Sequence, residues 1–246
     1  MKSLVWLRND LRMDDNPALR HACTQSNEVH CIYIFSNNQN QLHNQANCKT
    51  EFIISNLIDL NKSLNKINIP LTVINSNDFN DNELKIIEIV NERGINKVFW
   101  NNMFGEDEQL RDLNVSEMLT QKNIEFETFN DQVVFNPGTI KTQENKPYSV
   151  FTPFKRRWVE NFNIDLLDIE FEYSKKDDSG IASNINDFNF NYKKIHSVDM
   201  SIWKIGESNA LSIMHEYLNE KIYRYSVDRN DPIIAVSYTH LRAHET

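Results

Sequence analysis

A run of charged side chains directly follows the first apolar segment of the chain. The segment is Leu4-Val5-Trp6-Leu7, and the charges that follow it are Arg8, Asp10, Arg12 and Asp14. Asn16-Pro17 then begins a predicted helix, because asparagine is a good N-cap and proline suits the first helical position. This order is typical of the carboxyl edge of a parallel sheet, where open α/β folds bind ligands. Since buried charges need partners, we expect pairing across this turn among Arg8, Asp10, Arg12 and Asp15.

Hydrophobic periodicity predicts an alternating series of strands and helices around this edge. The predicted strands are 4–7, 29–35, 71–74, 97–100 and 125–129, and the predicted helices are 16–23, 49–66, 83–93 and 107–121. Asp107 and Glu108 open the last of these helices, where carboxylates can cap exposed N–H groups and suit the helix dipole. Right-handed crossovers place helices on both faces of a sheet. The sequence therefore predicts an α/β fold with a five-stranded parallel, Rossmann-like sheet.

Composition excludes several classes of protein. The chain has 246 residues, a formal net charge of −9 and only five glycines, and it contains neither G-x-G-x-x-G nor a Walker loop. No apolar stretch is long enough to span a membrane, and no signal peptide precedes the first strand. The odd number of cysteines suits a reducing compartment, which predicts a cytoplasmic protein without a metal site. The one dense basic run, Lys155-Arg156-Arg157, suits a solvated helix face as well as a phosphate contact.

Three blocks of the sequence carry a family resemblance. Residues 6–16 read W-x-R-x-D-L-R-x-x-D-N, residues 148–158 read YSVFTPFKRRW, and a third match runs from Trp203 to Pro232. These blocks resemble the DNA photolyase and cryptochrome family. The resemblance implies an α/β antenna domain followed by an all-helical domain that binds FAD.

The resemblance also implies an activity. It is that of a deoxyribodipyrimidine photolyase, in which light drives an electron from reduced FAD into a cyclobutane pyrimidine dimer of UV-damaged DNA. The chain is predicted to be a monomer that does not bind membranes. One alternative is a cryptochrome, a blue-light receptor on the same scaffold. The other is a non-catalytic, nucleotide-binding α/β module, which leaves the block around Phe151-Thr152-Pro153-Phe154 without explanation.

Residues for an antenna chromophore follow from the same resemblance. The family's folate-binding pattern places its histidine at His43, its asparagine at Asp107 and its glutamate at Glu108, and the implied pigment is 5,10-methenyltetrahydrofolate. Glu108 can accept hydrogen bonds from a pterin's amino and ring N–H groups, because a carboxylate offers two acceptors in one plane. Asp107 departs from the family's asparagine and lacks its donor. A flavin or deazaflavin antenna, or none, therefore stays open.

The third block supplies the remaining implied contacts. Tyr225 to Pro232 matches Y-x-x-x-R-x-x-P, which implies that Tyr225 contacts FAD and that Arg229 contacts the DNA backbone. We expect none of the residues of this chain to be catalytic.

The predicted organisation has four parts. Residues 1–155 form the antenna domain, 156–202 an interdomain linker and 203–234 the truncated start of the FAD-binding domain, with an amphipathic helix over 210–222. Residues 235–246 resemble a translated adaptor sequence from library preparation, and we expect this tail to be non-native. His240 and His244 lie within the tail, so their metal-like spacing is treated as accidental.

Overall fold

The computed structural model describes residues 1–77, 81–163, 171–190, 192 and 200–231. It divides by contacts into two units, Met1–Ser197 and Val198–Thr246, which are described separately. The predicted tail, 235–246, lies outside the described residues.

The first unit is built on one parallel sheet of five strands. The strands are β1 (Lys2–Leu7), β2 (Glu28–Ser36), β3 (Leu71–Ser76), β4 (Lys97–Asn101) and β5 (Glu125–Phe129). Their order is β3-β2-β1-β4-β5, and every neighbouring pair is parallel. The predicted fold class is confirmed, and each predicted strand lies within two residues of its observed bounds.

Helices connect the strands as the periodicity predicts. They are α1 (Pro17–Gln25), α2 (Asn37–Leu42), α3 (Asn47–Lys66), α4 (Asn82–Arg93) and α5 (Glu106–Gln121), followed after β5 by α6 (Phe151–Asn161). Asn16 caps α1 by accepting a hydrogen bond from the Leu19 backbone N–H. Gly94 ends α4 in the left-handed conformation, with φ 63°, which a residue lacking Cβ adopts at little cost. The short polar helix α2 was not predicted, because it has no buried face to impose a period.

Two apolar layers cover the two faces of the sheet. Leu19 of α1 and Leu57 and Leu64 of α3 pack on one face with Val5, and all four are fully buried. On the other face, residues of α4 and α5 pack around Trp6 and Trp100. Full burial of a large apolar side chain contributes about 1.5–3 kcal/mol, so these layers hold the strand ends in fixed positions.

Residues 171–190, named here the strap, pack on the first layer. Ile185 is fully buried there, and Phe190 meets Phe35 edge-on with ring centroids 5.2 Å apart. The first unit therefore extends to Ser197 by its contacts, past the predicted domain end at 155. The strap shows no regular hydrophobic period, because its aromatic side chains are only partly buried and lie at irregular intervals, which explains why the sequence suggested a linker.

The second unit is helical in its described part. It comprises α7 (Glu207–Glu216), a π-helical turn (Tyr217–Lys221), a 3₁₀ turn (Ile222–Arg224) and the one-turn α8 (Tyr225–Asp228). The predicted helix over 210–222 is thus present, although its last turns leave the α-helical hydrogen-bond pattern. Its apolar stripe, Leu211, Met214 and Leu218, is 36–45% exposed.

Candidate functional site at the carboxyl edge of the sheet

The loops after β1 and β4 meet at the centre of the sheet. The chain passes from β1 to β2 on one side and reaches β4 on the other, so the gap between β1 and β4 is the topological switch point. Asn101, the last residue of β4, donates from Nδ2 to Oδ2 of Asp10 at 2.6 Å and to Oδ1 of Asn16 at 2.9 Å. One buried amide therefore ties the β1 loop and the start of α1 to β4.

The charged residues after β1 are held by partners far away in the sequence. Arg8 donates from Nη1 to Asp112 of α5 at 3.2 Å and from Nη2 to the Asn101 carbonyl, and Arg12 binds Asp131 beyond β5. Within the turn itself, the Arg12 guanidinium reaches the Asp15 carboxylate only at 3.8 Å. The Arg12 guanidinium also donates to the Asp15 carbonyl, so the predicted pairing across the turn is confirmed for Arg12, whereas the Arg8 guanidinium binds Asp112 and the Asn101 carbonyl instead. Strand order brings distant carboxylates closer than those of the turn.

Trp6 lies beneath two guanidinium groups. The Cζ atoms of Arg8 and Arg111 are 4.5 and 4.8 Å from its ring centroid, and both arginines share Oδ1 of Asp112. Burial lowers the pKa of Arg8 to about 10, against the opposing effect of Asp112. The Asp10 carboxylate, which accepts from the Arg8 backbone N–H, also lies close to this group.

A cavity of about 140 Å³ opens beside this group. Its charged lining residues are Arg8, Lys49, Glu108 and Arg111, and its neutral polar lining includes Tyr33, Asn40 and Gln45. Nε of Arg8 is buried without a hydrogen-bond partner among the described residues. The cavity therefore offers several cationic and neutral hydrogen-bond donors beside one carboxylate, Glu108, which suits a ligand with both acceptors and donors.

Two of the three predicted antenna residues are in contact, and the third, Glu108, lines the cavity. His43 follows α2, and its Nε2 lies 3.4 Å from Oδ2 of Asp107 in the first turn of α5. Glu108 lines the cavity, and its carboxylate lies against Gly105, where an added Cβ would meet Oε2 at 2.0 Å. Gly105 is the N-cap of α5, and no side chain makes a capping hydrogen bond there. Glu106, Asp107 and Glu108 form an acidic first turn of α5, as the helix-dipole interpretation predicts, and the Asp107 side chain also faces His43.

Tyr225 and Arg229 are neighbours within the second unit. Arg229 lies one helical turn after Tyr225, its backbone N–H donates to the Tyr225 carbonyl at 3.1 Å, and its Cζ is 6.0 Å from the tyrosine ring centroid. Arg229 is exposed and Tyr225 is half-buried. In the first unit, the basic run on α6 is also exposed, with Arg157 facing Glu160 at 3.3 Å.

The described ranges contain no helix long and apolar enough to cross a membrane. The same residues contain no group of three His, Cys, Asp or Glu side chains that could hold a metal ion.

Comparison with known proteins decides the family. A family model described as DNA photolyase matches residues 3–172. The chain belongs to the DNA photolyase family. This photolyase-family chain is 30% identical over 239 residues to the deoxyribodipyrimidine photo-lyase of Buchnera aphidicola subsp. Acyrthosiphon pisum, covering 95% of the chain and 48% of that relative. The enzyme of Escherichia coli K12 is 28% identical over 232 residues, with 94% and 48% covered. Cryptochrome-1 of Arabidopsis thaliana is 22% identical over 230 residues, with 92% and 33% covered.

Solved structures show the same fold. The bacterial class III photolyase from Agrobacterium tumefaciens superimposes with a TM-score of 0.71 at 22% identity, over 94% of this chain and 47% of that one. An archaeal photolyase from Sulfolobus tokodaii, described with two FAD molecules, gives 0.59 at 19% identity, over 87% and 46%. The photolyase-family chain spans about half the length of the curated relatives it matches.

Sequence reasoning missed three residues of this photolyase-family site. Arg111 and Asp112 lie on α5 and Asn101 ends β4. Arg111 shares a buried helix face with Val115 and Leu119 at intervals of four. A charged residue at a position where the period predicts an apolar one was the sequence signal that could have identified it. Asn101 directly follows the predicted strand 97–100, so the sequence also allowed it to be placed at the same sheet edge as Arg8.

Proposed function

We propose that this chain supplies the antenna half and the first FAD and DNA contacts of a deoxyribodipyrimidine photolyase. The observation that carries the proposal is the alignment with photolyases: the family model matches residues 3–172, and one photolyase is 30% identical over 239 residues. Cryptochromes align less closely. The alternative of a plain nucleotide-binding module gains no support from these relatives.

The proposed FAD and DNA contacts lie side by side on one short helical segment. When reduced, FAD supplies the electron that splits a pyrimidine dimer. The half-buried Tyr225 ring can pack against the cofactor, and the exposed Arg229 guanidinium can bind a DNA phosphate. One helical turn between them would link cofactor binding to lesion binding.

The proposed antenna site is the rim formed by His43, Asp107 and Glu108. Glu108 can accept two hydrogen bonds from the amino and ring N–H groups of a folate-type pterin. The Asp107 carboxylate faces His43 and orients its imidazole. As an acceptor, this carboxylate does not donate a hydrogen bond to the pigment. We therefore assign pigment recognition chiefly to Glu108.

A flavin-type antenna is the second candidate, and the hydrogen-bond donors that line the cavity favour it. Arg8, Lys49 and Arg111 line the space behind the rim, against a single lining carboxylate. Cations and the unused Nε donor of Arg8 suit an anionic or carbonyl-rich ring. Glu108 contacts a pigment in either arrangement, because it belongs both to the rim and to the cavity lining.

The test uses the gene product that includes this chain. We expect the purified protein to carry a flavin and to reverse cyclobutane dimers in an oligonucleotide under blue light, but not in the dark. Flavin retention without dimer reversal would favour the cryptochrome alternative. Tight binding of an adenine nucleotide without any flavin would favour the nucleotide-binding module.

A further inference from the structure

Helix α6 leaves its apolar side chains exposed. None of its eleven residues, Phe151–Asn161, is buried, although two phenylalanines, a tryptophan and a valine are among them. Phe151 is 72% exposed, and the Trp158 ring stacks on Phe162 and meets Phe135 edge-on, with ring centroids 5.3 and 5.4 Å apart. These rings pack on one another instead of on the core. An exposed apolar surface of this kind marks an interaction site.

The segment around α6 is basic within an acidic chain. Residues 132–163 contain five Lys or Arg against two Asp or Glu, which gives them a net charge of +3, whereas the whole chain carries −9. Both carboxylates are already paired, Glu144 with Lys146 at 3.0 Å and Glu160 with Arg157 at 3.3 Å. No carboxylate of the segment remains for its other three cations. Clustered positive charge of this kind favours a partner with negative charge.

Lys155 lies on the aromatic face of α6. It follows Phe151 by four positions and precedes Trp158 by three, and residues at these spacings share one side of a helix. Arg156 comes next in the chain, and both cations are exposed. Within the part of the chain that the structure describes, neither of them has an ion-pair partner. The face therefore combines aromatic rings with positive charge that no described carboxylate neutralises.

This combination selects among the partners that could cover the face. An apolar protein surface would bury the Lys155 ammonium without a counter-charge, which is costly. Insertion into a bilayer needs an unbroken apolar face, and Lys155 interrupts this one. A DNA strand offers both complements at once, because its phosphates bind cations and its sugars and base faces pack on aromatic rings.

We propose that α6 is a DNA-binding surface of the first unit. Lys155 and Arg156 bind phosphates of one strand. Phe151 and Trp158 pack on the sugars and unstacked bases of that strand. This role rests on the proposed photolyase function, which makes DNA the substrate, and it adds a contact in the first unit to the one proposed for Arg229 in the second. Because phosphate contacts carry no sequence information, the surface strengthens binding to damaged and undamaged DNA alike.

The charge test compares Lys155→Gln/Arg156→Gln with Arg157→Gln in the gene product that includes this chain. Arg157 is the matched control, because it belongs to the same basic run but faces Glu160. Binding of a fluorescent duplex is followed by anisotropy at several salt concentrations. In the double variant we expect affinity to fall about ten- to a hundredfold at about 0.1 M salt, and the slope of log affinity against log salt to become shallower by about 2. Both quantities should stay close to the parent values in Arg157→Gln.

Two further measurements separate the phosphate contacts from the aromatic ones. In the double variant, the ratio of affinities for a duplex with one cyclobutane dimer and for the undamaged duplex should equal that of the parent, because the lost contacts do not read the lesion. Phe151→Ser should weaken binding of a single-stranded oligonucleotide about five- to a hundredfold, the range for loss of one base-stacking contact. Its thermal midpoint and flavin content should not change, since the removed ring is exposed.

Four outcomes overturn the proposal. Unchanged affinity and slope in the double variant do so, and the photolyase function stands if the parent binds DNA and reverses dimers. A lower thermal midpoint or flavin content in Phe151→Ser, with unchanged DNA affinity, would show that the face packs on protein. Binding of the parent to phosphatidylglycerol vesicles that is lost in the double variant, while DNA affinity is kept, would show a membrane surface. A parent that binds no DNA overturns this proposal and the proposed function together.

Discussion

Nε2 of His43 lies 3.4 Å from Oδ2 of Asp107, which joins the loop after α2 to the first turn of α5. Both side chains are more than half exposed, at 54% and 59%, so the contact contributes at most about 1 kcal/mol to stability. Its importance is geometric. The contact fixes the imidazole at the first turn of α5, the turn that also carries Glu108.

Asp107→Asn should alter pigment binding far more than stability. The amide restores the donor that the family pattern has at this position, so we expect tighter retention of methenyltetrahydrofolate by the gene product. Pigment content after gel filtration, read from its near-UV absorbance, measures this. The free energy of unfolding should change by less than about 1 kcal/mol. Equal folate retention in both proteins would contradict the folate assignment.

Glu108→Ala should remove the antenna pigment and leave flavin-driven repair intact. Loss of charge-assisted hydrogen bonds costs about 1.5–3 kcal/mol, or about ten- to a hundredfold in pigment affinity. Glu106→Ala is the matched control, because Glu106 is an exposed carboxylate in the same helical turn. Fluorescence titration with the pigment measures affinity, and dimer reversal under light absorbed by the flavin measures repair. Identical affinities in the two variants would exclude Glu108 from the site.

Asp112→Asn should strongly destabilise the first unit. Its carboxylate is shared by Arg8 and Arg111, whose side chains are only 6% and 4% exposed. Removal of one partner of a buried ion pair costs about 3–5 kcal/mol, because the remaining charges stay buried. Urea unfolding at neutral pH measures this loss. Asp59→Asn, which disturbs only the exposed contact with Lys62 at 3.7 Å, should stay within about 1 kcal/mol of the parent protein.

His30 should make stability fall on mild acidification. Its side chain is fully buried, with Nε2 2.8 Å from Glu28 and Nδ1 3.3 Å from Arg93, and burial lowers its pKa below the ordinary 6.5. The unfolded chain therefore binds a proton near pH 6.5 that the folded chain does not bind until lower pH. Titration of His30 should therefore leave the free energy of unfolding unchanged above about pH 6.5 and should lower it as the pH falls below 6.5.

Denaturant unfolding between pH 7.5 and about 5 tests the His30 prediction. His30→Gln should flatten the slope of stability against pH below 6.5, even if the variant is less stable throughout. A slope that is unchanged in His30→Gln would show that other groups cause the acid sensitivity.

Local sequence signals predicted the elements well because each signal acts over a few residues. Asn16-Pro17 began a helix, Gly94 ended one, and the alternation of apolar runs predicted a parallel sheet. The contacts of the strap have no such local signal. Its order comes from Phe190 on Phe35 and from Asn184 on Val73, which are contacts across more than one hundred residues of sequence.

The amino-acid sequence alone determined the family, the order of strands and helices, and the residue types at the carboxyl edge. These depend on periodicity, on caps and on a motif contiguous from Trp6 to Asn16. Only the tertiary structure decided the partners of those residues: Asp112 for Arg8, Asp131 for Arg12, and His43 for Asp107. The physical reason is that the strand order β3-β2-β1-β4-β5 sets distant loops side by side, and a charge binds the nearest opposite charge in space, however far away it lies along the chain.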